Sequence, residues 1–398
     1  MRQFEDQALA IPAPPAPGGR PLRLAFVSHC LNPGDQSASR IGGAERAAAE
    51  LLAAHQGLDE LVVTPIIERA ASNRLRFVGF AGSGLIRLSR LARAGAIDAV
   101  LFSGMPTAWM GLLLAKGLKR GGVVSAAICH GHDVTMDFAP YQTLVRRVFG
   151  ALDAVLPVSV ATGAHCLARG LDPKRMHVIP NGTDFARFPP APADGERRAI
   201  LRAAFPGASA GLGEGGFVLC TVGRQAPRKG HAWFVREVMP RLPGEVQLWL
   251  GGDGAEAAAI EAAAREAGVS GRVKRLGVLP ERQLVALYRG ADLFVMPNVP
   301  LPGDIEGFGL VMLEANLNGL PVLASRLEGL VDVVAEGVNG RLVPPLDAEA
   351  FAGAVQALRR DAAQRRRLGR QAVTHARGFG WTSVAERQVR ILRAAAAA

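Results

Sequence analysis

From residue 22 to its end the chain repeats one unit: a short run of aliphatic and β-branched residues, then a longer stretch rich in Ala, Leu and Arg. The short runs are apolar throughout rather than alternating with polar residues. Strands of that kind have both faces buried, which calls for a parallel sheet with helices on each side. The predicted strands of the first half are LRLAFVS (22–28), LVVTPII (61–67), LRFVGF (75–80), AIDAVLF (96–102), VVSAAICH (123–130), DAVLPVS (153–159) and MHVIP (176–180). Those of the second half are FVLCTVG (217–223), VQLWLGG (246–252), RVKRLG (272–277), DLFVMP (292–297), PVLAS (321–325) and GRLVP (340–344). Helical patterns such as 255–267 and 347–359 lie between them.

The repetition breaks once, over 185–216, a segment rich in Pro, Gly and Ala that reads as a domain linker. The expected fold is α/β, with two doubly wound, Rossmann-like domains facing across a cleft, 22–190 and 191–380. A leader over 1–21, with five prolines, reads as disordered, and a last helix is expected over 381–398. Ligands of open parallel sheets bind beyond the carboxyl ends of the strands, so the chemistry belongs in the loops that follow strands and line the cleft.

Composition removes several alternatives. The 46 Lys and Arg against 35 Asp and Glu give +11, which invites a nucleic-acid partner. Only five of the basic residues are Lys, a bias that GC-rich coding produces by itself, and the excess is spread evenly: +5 over 1–195 and +6 over 196–398. With no basic tail and no binding motif, no nucleic acid is expected. Cys30, Cys129, Cys166 and Cys220 are too scattered for a zinc ribbon or a disulfide framework. No apolar run reaches the roughly 18 residues of a membrane span and no signal peptide is evident, so a cytoplasmic protein is expected. A P-loop, a G-x-G-x-x-G after the first strand and a G-x-S-x-G elbow are all missing.

Four post-strand loops carry candidate chemistry. Gly43, in GGAER (42–46), opens a predicted helix, where free backbone N–H groups favour an anion. Arg224 and Lys229, with Arg228 alongside, focus positive charge in GRQAPRKGH (223–231) and suit a diphosphate. In 296–325 a Pro/Gly loop delivers Glu306, and Gly307-Phe308-Gly309 opens a helix that carries Glu314. Eight residues are about 12 Å along a helix axis. Two carboxylates flanking a phosphate cradle fit a ligand with hydroxyls at both ends, which is the pattern of a nucleotide sugar. His130 and His132 alternate in ICHGHD (128–133) and could share a face, but no Cys or carboxylate stands at ligand spacing. No metal and no cofactor are therefore expected, and His130 reads as a hydrogen-bonding or acid/base group.

Seven motifs in register, GGAER (42–46), HGHD (130–133), PNGTD (180–184), GRQAPRKG (223–230), GGDG (251–254), EGFGLVMLE (306–314) and NGRLV (339–343), resemble the retaining glycosyltransferases of family 4, which have the GT-B fold. The resemblance implies that Arg224 and Lys229 hold the donor diphosphate and stabilise its departure, with Glu306 at the donor sugar and Glu314 at the ribose. It implies that the backbone of Phe308, Gly309 and Leu310 meets sugar and phosphates, that His130 contacts the sugar, and that Gly43 permits close approach of diphosphate or acceptor. PNGTD is implied at the hinge, and the helix from Trp381 is implied to cross back onto the N-terminal domain. That domain is implied to bind the acceptor, a glycan or lipid-linked molecule of cell-envelope polysaccharide or glycolipid synthesis, and the C-terminal domain the nucleotide sugar, UDP- or GDP-linked. The amphipathic basic stretches 85–95 and 141–152 suggest peripheral contact with an anionic membrane, or else helices packed on the sheet with Arg at the rim. The loop before Glu306 is long and contains Asp304, which leaves donor specificity open. The rivals are a sugar-nucleotide epimerase of the same fold and a non-catalytic sugar-binding module.

Overall fold

The computed structural model describes residues 20–29, 43–68, 74–193, 195–213 and 215–397; almost all of the expected leader, and the first loop with Cys30 and Gly42, lie outside the described residues. The first sheet is built from β1 (Leu22–Ser28), β2 (Leu61–Ile67), β3 (Ala99–Phe102), β4 (Val124–Cys129) and β5 (Ala154–Pro157), in the order β2-β1-β3-β4-β5. The second contains β6 (Phe217–Val222), β7 (Val246–Gly251), β8 (Val273–Gly277), β9 (Leu293–Met296), β10 (Val322–Ser325) and β11 (Gly340–Val343), in the order β11-β10-β9-β6-β7-β8. Every pairing is parallel.

The apolar runs are buried on both faces, as their composition requires. In β1, Leu22, Leu24 and Phe26 join Ala47, Ala48 and Leu51 of the helix Gly43–Gln56. Ala25 and Val27 of the same strand point the other way, into the core that contains Phe80, Leu88 and Met110. In β6, Val218 and Cys220 face one cluster and Phe217 and Leu219 another.

Two predicted strands are corrected. Residues 75–80 lie in the helix Arg74–Arg93. Over the longer window its apolar residues recur at Phe80, Ala81, Leu88 and Ala92, a helical spacing that places them all in the core, whereas six residues read alone pass for a strand. Residues 176–180 run beside β5 without forming a named strand: one bridge joins Val155 and Met176, and His177 N–H and Ile179 N–H donate to Val155 and Pro157 carbonyls.

The last helix, Trp381–Ala397, packs against the helix Gly43–Gln56 and against β4 and β5, so the chain's end returns to the first sheet. The two crossings between sheets lie side by side, with Thr183 N–H donating to Phe379 O at 2.7 Å. Gly182 is needed there, since a Cβ would stand 2.6 Å from the Trp381 ring. No helix among the described residues is long and apolar enough to cross a membrane.

His55 is sealed between this last helix and the first sheet, with Phe26 at 5.8 Å between ring centroids. Burial pulls its pKa from 6.5 to about 4, with Gln388 opposing weakly. The unfolded chain takes up a proton near pH 6.5 that the folded chain refuses until about pH 4, so this stability is present above pH 6.5 and lost as pH falls. Between pH 7 and pH 5 the loss from this group is about 2 kcal/mol. His55→Leu is expected to flatten the pH dependence of unfolding over that interval by this amount; an unchanged slope contradicts the assignment.

Candidate active site

The strand order reverses between β1 and β3 in the first sheet and between β6 and β9 in the second. At such points the loops leave in opposite directions and open a crevice beyond the strand ends. Both crevices open into one cavity of about 590 Å³, lined from one side by Ser28, His29, Ser103 and Gly104 and from the other by Val222, Gly223 and Arg224. All nine residues singled out in the sequence line it: Gly43, His130, Arg224, Lys229, Glu306, Phe308, Gly309, Leu310 and Glu314.

Glu306 and Lys229 are each 8% exposed and form a buried ion pair through Nζ and Oε2. Asn298 Nδ2 donates to the same oxygen at 3.2 Å, and Arg228 stands 3.5 Å from it. Burial pushes the Glu306 carboxyl up, but the charges of Lys229 and Arg228 hold it below its usual value. Burial likewise draws the Lys229 ammonium down, against the pull of Glu306. Arg224 differs from both: it is exposed and makes no ion pair with the described residues.

The helix after this loop, Leu310–Leu317, begins behind Gly309 at φ 89°, and Gly309, Leu310 and Val311, whose N–H groups have no partner within the helix, line the cavity. Because helix starts only at Leu310, Glu306 lies in the loop before it, and the expected axial spacing of the two glutamates does not apply. Glu314 is on the helix and 4% exposed. Its Oε1 accepts from Arg46, across the cleft, and from Arg187 NH1 at 2.7 Å, and its Oε2 accepts from Tyr288 OH at 2.8 Å. A carboxylate can accept about four hydrogen bonds, which leaves Oε2 room for one more donor.

His130 Nε2 donates to Ser103 O at 2.8 Å, which fixes the orientation of the ring. Asp133 takes the His130 and Met105 backbone N–H groups at 2.8 and 3.2 Å and stiffens this corner. His132 lines the same cavity, but Gly131 bends the chain between the two at φ 104°, and His132 turns to Gly303 O and Asp304 rather than to His130's partner. Among the described residues no group of three His, Cys, Asp or Glu is placed to hold a metal. The two sheets' loops touch backbone to backbone here. A Cβ on Gly307 would collide with the His130 carbonyl, and one on Gly131 would stand 2.9 Å from Gly307 Cα.

Arg46, Arg187, Tyr288, Asn298 and Glu328 were not foreseen as part of this site. Arg46 sits inside GGAER, where the motif was a usable signal; the others follow no motif and are joined to the glutamates only by the fold. Their pairing makes a test. Lys229→Met leaves the Glu306 carboxylate buried with Arg228 as its nearest cation, and is expected to cost about 3–5 kcal/mol. Adding Glu306→Gln should recover half or more of that in urea unfolding; strictly additive costs would show the pair is not coupled.

A family model described as "Glycosyltransferase Family 4" matches residues 41–187, and one described as "Glycosyl transferases group 1" matches 216–361. The GDP-mannose-dependent alpha-(1-6)-phosphatidylinositol monomannoside mannosyltransferase of Mycolicibacterium smegmatis is 32% identical over 276 residues, 68% of this chain and 69% of that protein. The D-inositol 3-phosphate glycosyltransferase of Nocardia farcinica is 38% identical over 227 residues, 54% of this chain, and the match spans only 47% of that relative's length. Among solved structures, Anabaena HepE in complex with UDP has a TM-score of 0.72 at 19% identity, covering 94% of this chain and 100% of that one. The catalytic domain of starch synthase IV from Arabidopsis thaliana, bound to ADP and acarbose, has 0.73 at 16%, covering 96% and 100%. These likenesses show the fold, a two-domain GT-B arrangement of Rossmann-like sheets. Together with the sequence matches they place the chain: it belongs to the family 4 glycosyltransferases.

Proposed function

We propose that the chain moves a hexosyl group from a UDP- or GDP-linked sugar to a glycan or lipid-linked acceptor, with retention at the anomeric carbon and without a metal, in cell-envelope polysaccharide or glycolipid synthesis. The observation that carries this reading is the charge pattern of the cleft. An exposed arginine unpaired among the described residues, Arg224, shares one cavity with a buried lysine, a helix N-terminus and two buried glutamates. In this reading the unit 191–380 holds the donor, 22–190 reads the acceptor, and 381–398 ties the two together.

Arg224, Lys229 and the amides at Gly309 and Leu310 hold the diphosphate; Gly43, the first residue of its helix, lets it or the acceptor come close. Glu306, His130 and the Phe308 backbone meet the sugar, and the remaining acceptor capacity of Glu314 meets the ribose. As the anomeric C–O bond breaks, negative charge gathers on the leaving diphosphate, where fixed cations and amides stabilise it. The acceptor oxygen bonds to the same face of the anomeric carbon and passes its proton to the leaving phosphate oxygen. The names of the two curated relatives both contain an inositol phosphate unit, which makes a phosphorylated polyol the first acceptor to try. The helices Arg74–Arg93 and Ala139–Ala151 expose Arg87, Arg90, Arg93, Arg146 and Arg147, with Ile86 exposed beside them, which supports contact with anionic lipid at the inner face of a membrane.

Melting in the presence of UDP, GDP and ADP tests the donor site. Ligand at 100 times its Kd stabilises by about 2.7 kcal/mol. Turnover of UDP-glucose and GDP-mannose is then followed with D-inositol 3-phosphate, or with phosphatidylinositol in vesicles, and the anomeric configuration of the product is read by NMR. An inverted product, or turnover that needs no acceptor, overturns the reading, as does the failure of every nucleotide to shift the melting. Arg224→Ala is expected to leave the melting of the free protein unchanged and to weaken nucleotide binding about 10- to 100-fold, the loss of a charge-assisted contact.

A further inference from the structure

Among the described residues two non-glycines have positive φ, Glu328 at 48° and Leu346 at 60°. Leu346 is exposed and does not line the cleft cavity, whereas Glu328, though not itself a lining residue, is bonded to Glu306, which lines the cavity. The Glu328 carboxylate accepts the backbone N–H of Glu306 at 2.5 Å, and the next residue, Gly329, donates its own N–H to Glu306 O at 3.2 Å. The Glu306 peptide is thus gripped from both sides by the turn that follows β10. The end of β10 steadies the side chain: Ser325 Oγ donates to Asn298 O at 2.6 Å, and Asn298 Nδ2 donates to the Glu306 carboxylate at 3.2 Å. Gly329 must be glycine for this approach, because a Cβ would land on the Gly307 carbonyl.

Glu328 is an expensive residue for this turn. A left-handed backbone conformation strains a non-glycine residue in a way that glycine would not feel. Burial, with the charges of Glu306 and Asp304, raises its carboxyl to about 7 against the opposing pull of Arg228. Its hydrogen bond to Glu306 N–H is the interaction that sets against both costs. Strain of this kind persists where geometry, rather than stability, is being maintained.

We propose that Glu328 is a positioning residue for the donor-sugar subsite, fixing the Glu306 peptide so that the Glu306 side chain is held at the sugar. The inference rests on the donor reading given above. Its readout is the sugar increment, the ratio of the Kd of UDP to that of UDP-glucose, or of GDP to that of GDP-mannose, measured by calorimetry on the full chain. Glu328→Gly relieves the positive φ and removes the acceptor. It is expected to melt no lower than wild type and to bind the bare nucleotide as before, while its sugar increment falls about tenfold, the loss of one hydrogen bond's worth of alignment. Glu328→Gln keeps an oxygen for the Glu306 N–H and is expected to restore most of the increment. An unchanged increment in Glu328→Gly overturns the proposal. So does a parallel fall of melting temperature, nucleotide affinity and sugar affinity, which marks a purely structural clip. A wild type that binds neither nucleotide overturns the donor reading itself, and this inference with it.

Discussion

A buried ammonium and a buried carboxylate, Lys229 and Glu306, hold each other in a place where neither charge is tolerable alone. The strand order creates the pair. β6 and β9 are neighbours, with Leu219 opposite Leu293 and Cys220 opposite Phe294, so the loops that leave their carboxyl ends start about 4.8 Å apart. One loop brings Lys229 and the other Glu306, from positions 77 residues apart in the chain. Asn298, Arg228 and Glu328 then complete the surroundings of the glutamate. Without the reversal of strand order, these loops would not share a crevice, and a basic loop and a glutamate would be two unrelated solvated groups.

The first sheet matters to this pair through backbone contact. Gly307 follows Glu306 directly and rests on the His130 carbonyl, and Gly131 bends at φ 104° to let the two loops meet. Because no side chain intervenes, the approach is as close as two chains can make it. Charges in a cleft closed this way interact through protein rather than water and are correspondingly stronger. Arg46 to Glu314 is a second tie across the same cleft, while Trp381 to Glu50 fastens the start of the last helix to the helix Gly43–Gln56. The two sheets are thereby held in one register.

The alternation of apolar runs made the doubly wound sheets legible, because burial of both strand faces leaves an unmistakable composition. It failed at 75–80, where six residues were too few to tell period 2 from period 3.6, and at 176–180, where the chain is extended without a regular ladder. All nine site residues converge on one cavity because eight stand in loops or helix starts after a strand, positions the fold gathers, and Glu314 follows one turn into such a helix. What they touch was not legible. Glu314 meets Arg46 from 268 residues away and Arg187 from 127, and no spacing rule reaches so far. Lys229 was read as a charge for an anion, and it is also the counter-ion of Glu306, since a short-range motif names the residue and not its partner. Glu328 had no sequence signal, for a glutamate before a glycine gives no hint of a left-handed turn.

The +11 of the whole chain is a poor guide to this site, and the local balance explains why. Around the cleft Lys229, Arg228, Arg46 and Arg187 are drawn against Glu306, Asp304, Glu314 and Glu281, so most of the positive charge is already neutralised. Arg224 stands outside this network. A cleft filled with unpaired cations would bind a diphosphate tightly before and after reaction alike, which stabilises the ground state as much as the transition state. A paired network with one uncommitted arginine and a helix N-terminus offers a narrower target. In the proposed reaction its favourable field would lie where charge accumulates as the anomeric bond lengthens, and the paired residues, held by their partners, would need little reorganisation to meet it.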